Sequence, residues 1–274
     1  MAPTSVGAHL HSVAPTFVGG RFYKNIMIYT FDTFSITYEI HNEQWLATRT
    51  PLLMLHSALG SRKEFAKLIP FYEDRAIILL DFPSHGESTT TLQQLSTAEL
   101  AKMTLALLDH LTIFSCDIIG YSMGGYVALE LALSRPTLVR SIVSHAMKFY
   151  WSEDAIVSAL SGLDAEKILS RSERGYNLLS KLHRANGFER TLMLARSIIE
   201  HFRTDQLTPE HLQDLQCPLL LSVGDRDELV SLEEVSRLYY ALPKERTFLT
   251  VHQHSPHLIS KLDLVSFTSA ARIF

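Results

Sequence analysis

Six short runs dominated by apolar residues recur along the chain without the alternation of a half-wet strand: Leu52–Leu55, Ala76–Leu80, Asp117–Gly120, Ser141–Val143, Leu219–Val223 and Thr247–Val251. Runs of this kind are expected where a parallel sheet is covered on both faces. Ahead of them, Ile26–Phe31 and Phe34–Ile40 are β-branched and aromatic, separated by Asp32-Thr33, and read as a hairpin. In its second arm Ile36, Tyr38 and Ile40 alternate with polar residues, which predicts one wet face. Helical periods lie between the runs. Ser96 and Glu99 form a capping box, followed on one helical face by Leu100, Met103, Leu107, Leu108 and Leu111. Strand and helix alternating in this way predict a doubly wound α/β sheet.

The alternation breaks between about Met147 and Leu215. There Asp164 is placed to cap a helix over Ala165–Arg184, Asn186-Gly187 ends it, and Phe188–Phe202 forms another. Thr208-Pro209 then opens a short helix with proline in its first turn. The pattern predicts a helical cap over 147–214, inserted into a core made of 21–146 and 215–274, with a closing helix over Leu258–Ile273. Residues 1–20, rich in Ala, Pro, Ser, Thr and Gly, read as a loosely held arm.

Composition narrows the classes of function. The chain has 274 residues, 46% hydrophobic and 20% charged, and a formal net charge of −4 without a basic tract. Nucleic acid and anionic membrane surfaces are therefore poor partners. Cys116 and Cys217 sit at apolar strand entries and read as reduced, buried thiols. Met1–Gly20 lacks a basic start and an apolar run, and no segment approaches the ~18 apolar residues of a spanning helix. A cytoplasmic protein with no membrane span is expected. The phosphate loop G-x-x-x-x-G-K-[ST] is absent, as is a dinucleotide G-x-G-x-x-G after the first strand. His252, His254 and His257 lack a Cys or carboxylate at ligand spacing, so neither metal nor cofactor is expected.

Gly120-Tyr-Ser122-Met-Gly124-Gly125 carries the strongest chemical signal. G-x-S-x-G would arise by composition about 0.1 times in a chain of this length, so its context matters. A buried-strand run precedes it and a helix follows from Tyr126, which is the sharp turn that exposes a serine hydroxyl. Such a hydroxyl needs a base, itself oriented by an acid, and in this architecture the order is Ser, acid, His. Leu219–Val223 runs into Gly224-Asp225-Arg226-Asp227-Glu228, where three carboxylates compete. His252, His254 and His257 all follow the last strand.

At these motifs the chain resembles the α/β-hydrolase family, from about Ile26 to the C-terminus. The resemblance implies a mostly parallel sheet of about eight strands flanked by helices, with a helical cap. Its pattern of strand, Gly, two residues and Asp implies that Asp227 is the acid and that Asp225 shapes the turn. For the base two patterns compete. The general one selects His254. A bacterial subgroup with a Thr-Pro-His loop resembles Ser255-Pro256-His257-Leu-Ile-Ser-Lys261, and also Lys148-Phe-Tyr-Trp151 and Leu163-Asp-Ala-Glu-Lys167; it selects His257, which is preferred here. The family's His-Gly-x-x-Gly loop corresponds to His56-Ser57-Ala58-Leu59-Gly60, so the oxyanion donors implied are the N–H groups of Ala58 and Met123.

Two positions depart from the family. Ser57 replaces a glycine and is expected to carry strain of roughly 1–3 kcal/mol if that glycine has a positive φ. Ser84, in Asp81-Phe-Pro-Ser-His85-Gly86-Glu-Ser88, replaces another; this segment is expected to brace the oxyanion loop, with His85 structural. His145, Phe149 and Trp151, at the junction with the cap, are candidates for lining the substrate pocket. The function implied is hydrolysis of a carboxylic ester or thioester of a small, largely apolar substrate through an acyl-enzyme. Alternatives on the same triad are carbon–carbon bond hydrolysis, lyase chemistry and cleavage of a small amide. A small-molecule receptor with a vestigial triad is the non-enzymatic alternative.

Overall fold

A single nine-stranded sheet organises the described residues. The computed structural model describes residues 26–272; the expected arm over 1–20 lies outside the described residues. The strands are β1 (Ile26–Phe31), β2 (Phe34–His41), β3 (Leu52–Leu55), β4 (Ile77–Leu80), β5 (Thr89–Thr90), β6 (Cys116–Tyr121), β7 (Val139–His145), β8 (Leu219–Gly224) and β9 (Thr247–His252). Their order is β1-β2-β4-β3-β6-β7-β8-β9, with β5 paired to β2. From β4 to β9 the pairs are parallel, and those made by β2 are antiparallel.

Side chains alternate between two buried faces, which is why the central strands read as unbroken apolar runs. Leu53, Leu55, Ile78 and Leu80 join one core with α1 (Thr97–His110) and α2 (Met123–Ser134). Leu52, Met54, Ile77 and Leu79 join the other, with Phe267 and Ala271 of a C-terminal helix at 264–271. The hairpin of β1 and β2 forms as predicted, but β2 has no wet face: Thr37 and Glu39 are buried too. Glu39 is accommodated there by the guanidinium of Arg62, 2.9 Å away.

Between β7 and β8 the chain forms α3 (Glu153–Gly162), α4 (Ala165–Arg171), α5 (Glu173–Leu182) and α6 (Phe188–His201). The helix expected over 165–184 is thus two. Ser172 is extended (φ −163°) and its hydroxyl accepts the Gly175 N–H, ending α4 and capping α5. No residue of α4 or α5 is buried, whereas α6 sends Leu194, Ile198 and Ile199 into the core. The Thr208-Pro209 signal becomes one 3-10 turn at His211–Asp214. After α7 (Leu232–Ala241) and β9, the expected closing helix shortens to a 3-10 turn at Ile259–Lys261 and α8 (Leu264–Ala271), capped by Asp263. Cys116 and Cys217 are free and buried, and burial pushes their thiols up to about 12 and about 11.

Candidate active site

Ser122 occupies the bend between β6 and α2 with φ 52° and ψ −116°, a backbone geometry that costs a non-glycine residue about 1–3 kcal/mol. The bend is possible because its neighbours lack side chains. A Cβ on Gly120 would lie 2.5 Å from the Gly124 carbonyl oxygen, and one on Gly124 would overlap the carbonyl of Leu55. The Ser122 N–H donates to His145 O (2.8 Å), and its carbonyl accepts from the Gly125 N–H (2.9 Å). The next N–H, that of Met123, opens α2 at the positive end of the helix.

The loop leaving β8 delivers Asp227, whose carboxylate accepts the N–H groups of Leu229 (2.9 Å) and Val230 (2.8 Å). The same carboxylate meets His257 Nδ1 at 2.9 and 3.0 Å. Burial opposes ionisation of Asp227, but the His257 hydrogen bond and charge and the two N–H donors outweigh it and hold the acid below the usual carboxylate range. His257 is fixed by its backbone as well. Its N–H donates to Glu228 (3.2 Å), and its carbonyl accepts from the Tyr121 hydroxyl (2.9 Å). With Nδ1 committed to Asp227, Nε2 is the nitrogen free to take a proton.

Tyr121 immediately precedes Ser122 and its ring lies 5.5 Å from that of His257, which ties the histidine loop to the bend. Ser122 Oγ makes no hydrogen bond among the described residues; such contacts are often loose before substrate binds. Of the competing groups, Asp225 accepts the Ser255 N–H (3.2 Å), a turn contact, and His254 is exposed with φ 55°. His252 is buried, with Nε2 2.9 Å from Ser222 Oγ.

The loop after β3 presents Ala58. The peptide carrying its N–H is gripped by the carbonyl of Ser57, which accepts from His56 Nδ1 (2.7 Å) and the Gly60 N–H (3.0 Å). A trans peptide directs the Ala58 N–H away from those donors. His56 is held in turn, its Nε2 accepting the Phe82 N–H (2.9 Å). The strain expected at Ser57 is not there: Ser57 has no positive φ, while in this loop and the segment beside it Leu59 (56°) and Ser84 (72°) do.

The segment from Asp81 to Ser88 braces this loop. Asp81 accepts the N–H groups of Arg62 (2.7 Å) and Glu87 (2.9 Å) and pairs with the Arg62 guanidinium, which also reaches Glu87 (2.7 Å). His85 is fully buried, and burial lowers it to about 4. A residue without a local signal in the sequence completes the brace. His183, after α5, accepts the Gly86 N–H (2.9 Å) and donates to Leu59 O (3.0 Å).

Of the three junction residues, His145 and Phe149 are buried and Trp151 is half-buried. His145 is fully buried, 2.9 Å from Ser222 Oγ and edge-on to Phe267, and burial lowers it to about 3. Phe149 is buried beside Tyr126, and Trp151 stacks on Phe202 with centroids 4.5 Å apart. Among the described residues no group of three or more His, Cys, Asp or Glu side chains could hold a metal, and no helix is long and apolar enough to cross a membrane.

Comparison with known proteins agrees with this fold. The model of the alpha/beta hydrolase fold matches residues 50–161. An uncharacterized hydrolase, YugF, of Bacillus subtilis is 29% identical over 85% of this chain and 94% of its own length. The putative carbamate hydrolase RutD of Pseudomonas savastanoi is 30% identical, covering 77% and 88%. The sn-1-specific diacylglycerol lipase ABHD11 of Danio rerio is 26% identical, covering 85% and 80%. Among solved structures, a putative lipase from Acinetobacter baumannii superposes with a TM-score of 0.77 at 16% identity, covering 92% of this chain and 90% of that one.

Proposed function

The chain belongs to the alpha/beta hydrolase fold family, and from that premise we propose that it is a serine hydrolase cleaving a carboxylic ester or thioester of a small, largely apolar substrate. The observation that carries this reading is the His257–Asp227 pair, with Nδ1 engaged and Nε2 free, delivered beside the Ser122 bend by Tyr121.

In this mechanism Ser122 Oγ attacks the carbonyl carbon while His257 Nε2 takes its proton. Asp227 holds the ring and stabilises the imidazolium. The N–H groups of Ala58 and Met123 receive the oxyanion, usually the largest single contribution. Collapse expels the alcohol or thiol, protonated from Nε2, and leaves Ser122 acylated. Water then attacks that acyl carbon, giving its proton to His257, and the acid departs as Ser122 regains its hydroxyl.

A receptor with an idle triad is disfavoured by the oxyanion loop, because Ser57 is accommodated without a positive φ. A second reading, cleavage of a carbamate or small amide, is favoured by the similarity to the putative carbamate hydrolase. Labelling by a fluorophosphonate, lost in Ser122→Ala, tests the nucleophile. Turnover of p-nitrophenyl esters of graded length against p-nitrophenyl carbamates then separates the two substrates. A folded protein that resists the probe would refute the serine mechanism.

A further inference from the structure

Glu64 stands on the 3-10 turn Arg62–Phe65, just beyond the oxyanion loop, and none of the motifs of the fold requires a carboxylate there. Its two oxygens are both used on one residue. Oε2 accepts the Ser57 N–H at 3.0 Å, and Oε1 accepts the Ser57 hydroxyl at 2.8 Å. Gly60 makes room for this arrangement: a Cβ there would lie 2.5 Å from the Glu64 carboxyl carbon. Ser57 is the position at which the family pattern has glycine, so the hydroxyl that Glu64 accepts is itself a departure from that pattern.

We propose that Glu64 is a positioning residue for the oxyanion loop: by accepting both the N–H and the hydroxyl of Ser57, its carboxylate fixes the residue whose carbonyl begins the peptide that carries the Ala58 N–H. The inference rests on the reading of Ser122 as nucleophile. The Ser57–Ala58 peptide is then restrained from two sides. Glu64 holds the preceding peptide's N–H and the Ser57 side chain, which limits rotation at Ser57, while His56 Nδ1 and the Gly60 N–H hold the Ser57 carbonyl itself. A peptide so restrained cannot rotate its next N–H away from the developing oxyanion, and donors fixed in advance are what make such stabilisation effective.

The charge of Glu64 matters to the clamp. Burial pushes its carboxyl up to about 7, against the opposing pull of the two Ser57 hydrogen bonds and of His257. The titratable groups that face it are His257 from the loop after β9 and Tyr121 from β6, whose phenol Glu64 itself helps to push up. Protonation turns one carboxylate oxygen into a donor and removes one of the two acceptors that Ser57 uses. Ionised Glu64 is thus the clamping form, and the clamp tightens as pH rises through about 7.

The test compares Glu64→Gln, Ser57→Gly and the double variant with wild type. Glu64→Gln is expected to lower kcat on a p-nitrophenyl ester about 10–100-fold with KM within about twofold, as for a misaimed oxyanion donor. Affinity for a trifluoromethyl ketone, which forms a tetrahedral oxyanion on the serine, should fall by the same factor. The double variant should cost no more than Glu64→Gln alone, because the two residues act as one unit. Below pH 7 the acid limb of log kcat/KM should approach a two-proton slope in wild type and a one-proton slope in Glu64→Gln. Unchanged kcat and inhibitor affinity in folded Glu64→Gln would overturn the proposal, and so would a loss confined to KM. Amide exchange at Ser57, faster in the variant if the clamp exists, is read without activity. A wild type that neither turns over nor takes the fluorophosphonate would overturn the serine-hydrolase reading and the positioning role with it, whereas unaltered exchange in an active pair would overturn the clamp alone.

Discussion

His183 Nε2 lies 3.0 Å from the carbonyl oxygen of Leu59, 124 positions earlier in the chain. Its other nitrogen accepts the Gly86 N–H, which fixes the proton on Nε2 and makes the ring a bridge between two segments with strained backbones. Leu59 holds φ at 56° and Ser84, near Gly86, holds 72°. One buried side chain from the helical insertion therefore ties the loop after β3 to the segment from Asp81 to Ser88. His183→Ala leaves a buried N–H and a part-buried carbonyl unpaired and removes a buried ring, and should cost about 2–4 kcal/mol in urea unfolding. A loss below about 0.5 kcal/mol would show that the bridge carries no load.

The two candidate bases separate by geometry. His257 is buried and bonded to Asp227, whereas His254 is exposed on a turn. His257→Ala should reduce kcat/KM by about 10⁴-fold or more, while His254→Ala should remain within about threefold of wild type. Steady-state rates on one activated ester decide it. Inactivation by His254→Ala alone would reassign the base.

Acid should destabilise the protein well before its carboxylates titrate in bulk. Burial lowers His56, His85, His145, His183 and His252, with His85 at about 4 and His145 at about 3. Each stays neutral in the folded state at a pH where the unfolded chain, near 6.5, binds a proton. Glu64 and Glu130 oppose this. Burial raises both to about 7, so the folded state gains their protons first and is stabilised as pH falls toward 4.5. Below about pH 6.5 the five histidines outnumber the two carboxyls, the unfolded chain holds more protons, and stability falls as the pH falls. Thermal midpoints measured from pH 8 to 5 should drop throughout the lower half of that range. A flat or rising profile would mean that the buried histidines are charged or solvated.

Much of this was legible in the sequence because it is local. The bend at Ser122 needs glycines two residues away on either side, and strand ends announce the loops that hold Asp227 and His257. What was not legible depends on contacts across the chain. Glu39 sits on the side of β2 that alternation marks as wet, yet it is buried because Arg62, 23 positions later, neutralises it. His183 and Glu64 have no motif of their own; each matters only because the loop from Ser57 to Gly60 folds against it. His145 stands at the end of a strand next to the bend, where a pocket residue would be expected. Instead Phe267 and the His252–Ser222 pair seal it beneath the site. The break at Ser172 had a local sign, a capping serine, but the apolar period runs through it and outweighs that sign in a helix reading.

Two glycines, each replaced by alanine, distinguish backbone crowding from backbone freedom. Gly124 opens α2 against the end of β3, where a methyl group would overlap the Leu55 carbonyl. Relief would require α2 to move off the strand, taking Met123 and the Ser122 bend with it. Gly124→Ala should therefore cost about 3 kcal/mol or more, beyond the usual overpacking penalty, and should lower activity in whatever protein remains folded. Gly162 ends α3 with nothing within 4 Å of the position its Cβ would take and no positive φ to forbid a side chain. Gly162→Ala restricts the unfolded chain without disturbing the folded one, and should stabilise by about 0.4–1 kcal/mol. Denaturant midpoints of the two variants should move in opposite directions. If Gly124→Ala were as stable as wild type, the close approach of α2 to β3 that shapes the serine bend would have to be wrong.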